Sequence, residues 1–491
     1  MELESLNEHW IVTKFTSVLD IQGGTQPPKS QFIDKPTAGY VRLLQIRDFG
    51  NKPVPTYVPD TKQLKKCKKD DLLIGRYGAS LGRICTGMEG AYNVALTKLV
   101  SGEYLDRHFL KGYLESELFQ HPLSLLSRSA QNGFNKEDLA NFDFVLPPLA
   151  EQKIIAEKLD SLLAQVESTK ARLERIPDII KRFRQSVLSA AVSGRLTEEW
   201  RKNNKSKIDG RALVSLLMEE HEKFGGHSKG NASDPTEVAH DLKHSDIPKE
   251  WGISLLRDAC VPGRPITYGI LKPGPELEQG IPYIRVADFP GNKLNLRNIK
   301  KTSKEIDEQF KRSRLQENDL LLSIRGSVGR LIKIPKEMNR ANITQDTARL
   351  SISGFVSVDY IYYTLLSDSV QRRMNNAVRG VAVRGINIGD VRALQIPMPS
   401  LDEQKEIVRR VQQLFAFADT IEQKTNAALE RVNNLTQSIL AKAFRGELTA
   451  EWRAANPDLI TGENSAAALL ERIKKERETT TAKPNKRKAK A

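Results

Sequence analysis

Two signatures recur in this chain at one separation. PPLAEQKII at 147–155 returns as PSLDEQKEI at 399–407, and GRLTEEWR at 194–201 returns as GELTAEWR at 446–453, each pair 252 residues apart. A repeat at a fixed offset constrains the fold more than any composition does, because the chain must build one unit twice. Equal offsets at both signatures also mean that the stretch between them carries no net insertion. Its periodicity can therefore be compared position by position.

In that stretch apolar residues step by four and three. The first copy runs Ile155, Leu159, Leu162, Val166, Thr169, Leu173, Ile176, Ile180, Phe183 and Val187; the second runs Ile407, Val411, Leu414, Ala418, Ile421, Thr425, Ala428, Val432, Leu435 and Ile439. This is the a/d seam of a coiled coil. Taken alone, a single stripe reads as a helix packed on its own domain. Two stripes of equal length in one register predict helices that pack on each other, and a chain that must return to begin a second globular segment makes the pair antiparallel. At 1.5 Å per residue, positions 155 to 187 span about 48 Å, enough for a spacer. Pro177 removes a backbone donor and predicts a kink or restart in the first helix, where the second copy has Leu429.

Upstream of each helix the match is looser. LNEHW pairs with IPKEW, YVRLLQIRDFGN with YIRVADFPGN, DLLIGRYGASLGR with DLLLSIRGSVGR, and GFNKEDL with GINIGDV. Short β-branched and leucine runs bounded by Gly and Asp read as strands, and YLDRHFLKGYLESELF and VDYIYYTLLSDSVQRRM read as helices. The expected fold class is α+β: two mixed α/β domains separated by two long antiparallel coiled-coil helices, with an internal pseudo-twofold duplication. The boundaries are 1–146 for the first domain, 147–203 for the central helical region and 204–246 for a polar linker with a short helix at Ala212–Phe224. The second domain covers 247–398, the second helical region 399–470, and a basic, disordered tail 471–491.

The formal net charge of +15 points to a polyanionic partner. From Glu471 onward nine Lys/Arg face three Glu, so the tail either adds phosphate attraction or solubilises the chain. MELESLNEHW has no basic leader, and no apolar run reaches the length of a membrane span, so a cytoplasmic protein is expected, away from membranes. Cys67, Cys85 and Cys260 are too scattered for a disulfide framework or a zinc site, which fits a reducing compartment. His221, His227, His240 and His244 lie in a Gly/Ser/Asn-rich stretch and read as solvated linker residues and not as metal ligands. No metal site is expected.

No GxxxxGK[ST] phosphate loop is present. FVLPPLAEQ is a poor match to the string expected of a methyltransferase acting on exocyclic base amines, which needs an acidic or amide residue before the prolines and an aromatic after them. Glu151-Gln152-Lys153 and Glu403-Gln404-Lys405 have the ExK spacing of metal-dependent nucleases, yet Asp143, the nearest upstream acid, has Gln395 as its counterpart. Both strings begin a helix after a proline, where an acidic residue favours the positive helix end. No catalytic residue is assigned.

Major-groove readout needs Arg for guanine and Asn or Gln for adenine, and Gly-flanked loops bring backbone close to phosphate. RYGASLGR supplies Arg76, Ser80 and Arg83; IRGSVGR supplies Arg325, Ser327 and Arg330; SRSAQNG supplies Arg128, Gln131 and Asn132; VRGVAVRG supplies Arg379 and Arg384. Arg47 and Arg285 come from the paired YVRLLQIRDFGN and YIRVADFPGN. Taken singly each reads as a surface or turn residue; as sets in both halves they are the candidates for DNA contact.

With these residues in hand, the chain resembles the specificity subunits of type I restriction–modification systems, in the enterobacterial branch that includes the K-12-type enzyme. The resemblance is carried by PPLAEQKIIAEKLDSLLAQVESTKARLERI, by NNLTQSILAKAFRGELTAEWRAANPDLITGENSAAALLE and by the duplicated order. It implies two target recognition domains, each reading one half of a split asymmetric site in double-stranded DNA. It implies a non-catalytic chain that binds two modification subunits, which carry S-adenosylmethionine and methylate adenine, and two restriction subunits, which carry ATP and Mg. No cofactor is expected in this chain itself. A coiled-coil scaffold joining two protein-binding domains is the alternative.

Overall fold

A computed structural model of the chain describes residues 7–50, 52–127, 133–225, 242–379 and 384–481. It divides into two compact units, one made of Met1–Glu174 with Asn426–Ala491 and the other of Arg175–Thr425.

In the first unit a four-stranded antiparallel sheet runs in the order Asp20–Gly23, Leu96–Val100, Leu73–Gly75, Ile84–Cys85. A second sheet has the order Tyr57–Pro59, Tyr40–Leu44, Gly90–Tyr92, Lys66–Cys67, with its central pair parallel. Ile11–Lys14 pairs with Asp143–Leu146, so the ends of the globular segment close on each other. The second unit repeats this plan. Thr267–Tyr268, Thr347–Leu350, Leu320–Ser323 and Leu331–Lys333 form the antiparallel sheet, Lys300–Thr302, Ile281–Ile284 and Asn342–Ile343 the sheet with a parallel pair, and Gly252–Leu255 closes on Gln395–Met398. Central strands such as Leu320–Ser323 are buried along their whole length, which is why they read as continuous apolar runs instead of alternating ones.

Both stretches read as single helices are interrupted. Arg107–Glu115 and Glu117–Ser127 are separated at Ser116, and Val358–Leu366 and Asp368–Asn376 at Ser367. The two serines are 2% and 0% exposed, and their hydroxyls donate to the carbonyls of Tyr113 (2.6 Å) and Thr364 (2.7 Å), competing with the helical ladder at that turn.

The first long helix spans Leu149–Glu174, and a new helix, Ile176–Val192, starts with Pro177 in its first turn, where the missing N–H is harmless. The second long helix is unbroken over Leu401–Phe444. In the first unit Ile155 and Leu159 share a core with Ile439, Leu440, Ala443 and Phe444, so the start of one helix meets the end of the other. In the second unit Val187, Leu188 and Ala191 share a core with Ile407 and Val411, and Arg184 Nη2 reaches Asp419 (2.6 Å) and Glu422 (2.9 Å). The pairing is antiparallel in each. Burial along the seam is uneven. Ile155, Leu159, Ile180, Ile407 and Val411 are buried, whereas Leu162, Val166, Leu173, Leu414, Ile421 and Val432 are only half-buried and Leu435 is 46% exposed. Ile155, Leu159, Ile407 and Val411 also enter a domain core, whereas Ile180 and Ala418 are buried without joining one.

The stretch read as linker contains Gly210–Lys223, a helix capped by Asp209, whose carboxylate accepts from Ala212 N at 2.8 Å. Its stripe Leu213, Leu217, His221 is buried against the second unit, and His221 Nε2 lies 2.9 Å from the Cys260 carbonyl oxygen, so this histidine is not solvated. His244 is exposed, and His227 and His240 lie outside the described residues. The same device follows the second signature: Ala466–Thr481 is a helix that buries Leu469 and Ile473 in the first unit's core. The segment from Glu471 to Thr481 is therefore ordered helix and not the beginning of a disordered tail, because its apolar residues at i and i+4 have a core to enter. The remainder of that tail lies outside the described residues.

Candidate nucleic-acid interface

In each unit the Gly-flanked loop joins two antiparallel strands: Leu73–Gly75 to Ile84–Cys85 in the first, Leu320–Ser323 to Leu331–Lys333 in the second. A glutamine just beyond the buried serine fixes each loop. Gln120 Nε2 donates to Gly82 O (2.9 Å) and Leu114 O (2.5 Å), and Gln371 Nε2 donates to Gly329 O (3.0 Å) and Leu365 O (2.7 Å). Gly82 and Gly329 have φ of 76° and 90°, and a Cβ on either would meet the glutamine Oε1 at 2.5 and 2.3 Å. Sequence reasoning missed this clamp, although SELFQ and SDSVQ carry it as a Ser-x-x-x-Gln spacing in both halves.

The candidate residues of the first unit are unequal. Arg47 is exposed and its Nη2 donates to Thr56 Oγ1 at 3.1 Å. Arg83 is exposed and donates to the Phe49 carbonyl, bringing its loop to the turn that holds Arg47. Arg76 is half-buried: Nε and Nη2 both donate to Phe134 O (3.1 and 2.9 Å), and the guanidinium carbon sits 5.1 Å from the centre of the Tyr77 ring. Ser80 Oγ donates to Tyr77 O at 2.8 Å within its own turn. Arg128, Gln131 and Asn132 lie outside the described residues.

In the second unit Arg285 makes a bidentate pair with Asp288 (2.5 and 3.1 Å), and that hydrogen bond pushes its already high pKa up further. Arg330 is half-buried, with its backbone N–H donating to Ser323 Oγ at 2.8 Å. Arg325, Ser327, Arg379 and Arg384 are exposed. Gly385 forms β-bridges to both Arg325 and Arg379, and Gly326 N donates to Arg384 O at 3.0 Å, so the backbone of the hairpin loop that carries Arg325 lies beside that of Arg379 and Arg384.

A second basic feature was not read from the sequence. Lys62, Lys65, Lys66, Lys68 and Lys69 are all exposed around the edge strand Lys66–Cys67, and Lys66 pairs with Asp60 at 2.6 Å. The run KQLKKCKKD was its signal. The corresponding stretch of the second unit is self-neutralised, with Arg314 bound to Asp307 (2.6 Å) and Glu308 (2.5 Å).

The ExK strings have a structural role. Glu151 is 0% exposed; its carboxylate accepts from Trp10 Nε1 (2.8 Å), Thr449 Oγ1 (2.6 Å) and the Arg453 guanidinium. Glu403, 3% exposed, accepts from Trp251 Nε1 (2.9 Å), Thr197 Oγ1 (2.7 Å) and Arg201 Nε (2.9 Å). Each unit thus ties the glutamate that starts one repeat's helix to the Thr and Arg of the other repeat's LT-x-E-W-R signature. With their lone pairs filled by protein donors, these carboxylates have little left for a metal. Among the described residues no group of His, Cys, Asp and Glu is arranged to hold a metal ion, and no helix is long and apolar enough to cross a membrane.

Comparison with known proteins agrees with this plan. The family described as type I restriction modification DNA specificity domain matches residues 7–178 and 270–431. The specificity subunit of the type I restriction enzyme EcoBI from Escherichia coli is 40% identical over 99% of this chain and 96% of its own length. That of EcoKI, from Escherichia coli strain K12, is 36% identical over 99% and 100%. Among solved structures, a chain of a type I R-M system superposes with a TM-score of 0.59 at 17% identity, over 90% of this chain and 99% of its own. The HsdS subunit of Thermoanaerobacter tengcongensis does so at 0.51 and 16%, over 90% and 98%.

Proposed function

Since the chain belongs to the type I restriction–modification DNA specificity family, we propose that it reads a bipartite, asymmetric DNA site, one half-site per unit, and directs partner subunits to it. The observation that carries this reading is the duplicated loop pair. In both units a Gly-flanked hairpin loop, clamped by glutamine, meets a second loop segment, while the residues exposed there differ between halves. A shared frame with different side chains is what two different half-sites require.

In this reading the chain performs no chemistry. Two modification subunits bring S-adenosylmethionine and methylate adenine, and two restriction subunits bring ATP and Mg. The complex works in the cytoplasm on double-stranded DNA. The paired helices set the gap between half-sites, and the lysine run around residues 62–69 adds phosphate attraction.

Footprinting of the chain assembled with its modification subunits tests the proposal against a protein-only scaffold. Two protected patches of defined sequence, separated by an unread gap and weakening as salt rises, are expected. Absence of salt-sensitive, sequence-selective protection would leave the scaffold reading.

A further inference from the structure

Arg76 and Arg325 begin the Gly-flanked loops of the two units, one register position apart. The central parallel pairs align Leu44 with Tyr92 and Ile284 with Ile343, and three residues beyond Tyr92 and Ile343 the carbonyls of Ala95 and Asp346 accept from Arg76 N (3.0 Å) and Ile324 N (2.8 Å), so Ile324 stands where Arg76 does and Arg325 matches Tyr77. The two arginines also differ in their surroundings. Arg76 turns inward and spends two donors on the Phe134 carbonyl. Arg325 stays exposed, and its Nη1 donates to Gln345 Oε1 at 3.2 Å. The residue of the first unit that matches Gln345, two beyond Tyr92, is Val94, which can make no such bond.

The Arg325–Gln345 pair is held from below. Ile324 N donates to Asp346 O (2.8 Å), Gln345 N to Ile270 O (2.9 Å) and Ile386 N to Ile324 O (2.9 Å). Gly385 lies under the arginine stem so closely that a Cβ there would sit 3.0 Å from Arg325 Cγ. Arg325, Arg379 and Arg384 form no ion pair among the described residues. Beyond that bond, the guanidinium of Arg325 and the Gln345 amide nitrogen donate to no other side chain or carbonyl among the described residues. A fixed fork of donors beside a side-chain amide is the chemistry that pairs bidentately with guanine and with adenine.

We infer that Arg325 and Gln345 are specificity-determining residues of the second unit, reading a guanine and a neighbouring adenine, whereas Arg76 of the first unit is structural and reads no base. Arg379 and Arg384 flank the pair as phosphate contacts. This inference rests on the reading that the units bind DNA.

The test uses the full chain in complex with its modification subunits, on duplexes carrying the complete site with each base pair of both half-sites changed in turn. Gln345→Ala and Arg325→Lys should each lose about tenfold discrimination at one position, the two positions adjacent and in the same half-site, with the other half-site unchanged. Arg325→Lys keeps the charge, so binding to the cognate duplex at low salt persists. Arg76→Lys should leave the base profile unchanged at every position. Wild-type profiles for the Arg325 and Gln345 variants would overturn the inference, as would uniform weakening on all duplexes. A wild-type complex that discriminated no base in either half-site would instead overturn the underlying proposal of DNA reading.

Discussion

A buried carboxylate persists only when its lone pairs are filled, and Glu151 and Glu403 fill them with an indole, a hydroxyl and a guanidinium each. Removing one partner strands a buried charge. Glu403→Ala should therefore destabilise the second unit by about 3–5 kcal/mol in urea unfolding, and a Glu403→Leu, Arg201→Met double variant should recover much of that loss. An unchanged midpoint for the alanine variant would contradict the role given to the glutamate. The letters of both knots were visible as recurring Trp, Glu, Thr and Arg. Their pairing was not, because Glu151 bonds an arginine 302 residues away and Glu403 one 202 residues away, each in the other copy. The cysteines supply a second prediction. Burial pushes Cys67 and Cys85 up to about 11 and Cys260 up to about 12. An unfolded thiol ionises near ~8.5, so the folded state holds its protons longer. Their contribution to stability is fully present below that pH and is lost as pH rises toward 11 and 12. Native protein at pH 8 should resist iodoacetamide at all three positions and become alkylated on unfolding. Rapid native labelling would contradict the burial.

At the scale of single elements, the clearest devices are the two glutamine clamps. Gly329→Ala puts a Cβ against Gln371 at a φ of 90° and should loosen the loop carrying Arg325 and Ser327. A cost of about 1–3 kcal/mol is expected, with hydrogen exchange faster in residues 325–330 and little changed in 76–83. Equal exchange in the two loops would mean that the clamp does not hold this one. Helical periodicity made the long helices legible, Pro177 restart included, because a step of four and three needs no tertiary information. The buried serine breaks were not legible: Ser116 and Ser367 sit inside patterns that continue as helix on either side. The helix Gly210–Lys223 was seen as a helix but placed in a linker, since its flanks are polar and only contact with the second unit's core shows where Leu213 and Leu217 go.

For the whole molecule, each unit takes its globular segment and the start of the helix that follows it from one repeat and closes them with the end of the other repeat's helix and its capping helix. The fold class followed from the duplicated signatures together with the four-and-three stepping and the short strand-like runs. The candidate interface did so only in part: the loops were found, but whether an arginine in them faces outward (Arg325) or inward (Arg76) depends on a partner, Gln345 or Phe134, that no spacing announces. If the paired helices set the gap, inserting one heptad into each long helix should lengthen the tolerated gap and leave both half-site sequences intact. Altered base preference would contradict that division of labour. The central claim is that two units read two different half-sites. Sequencing of methylated adenines across the genome of a cell carrying this chain with its modification subunits tests it most directly. A single motif with two unlike specified parts around a fixed run of unspecified bases is the predicted result. A continuous motif, a palindromic one, or no methylation dependent on this chain would contradict it.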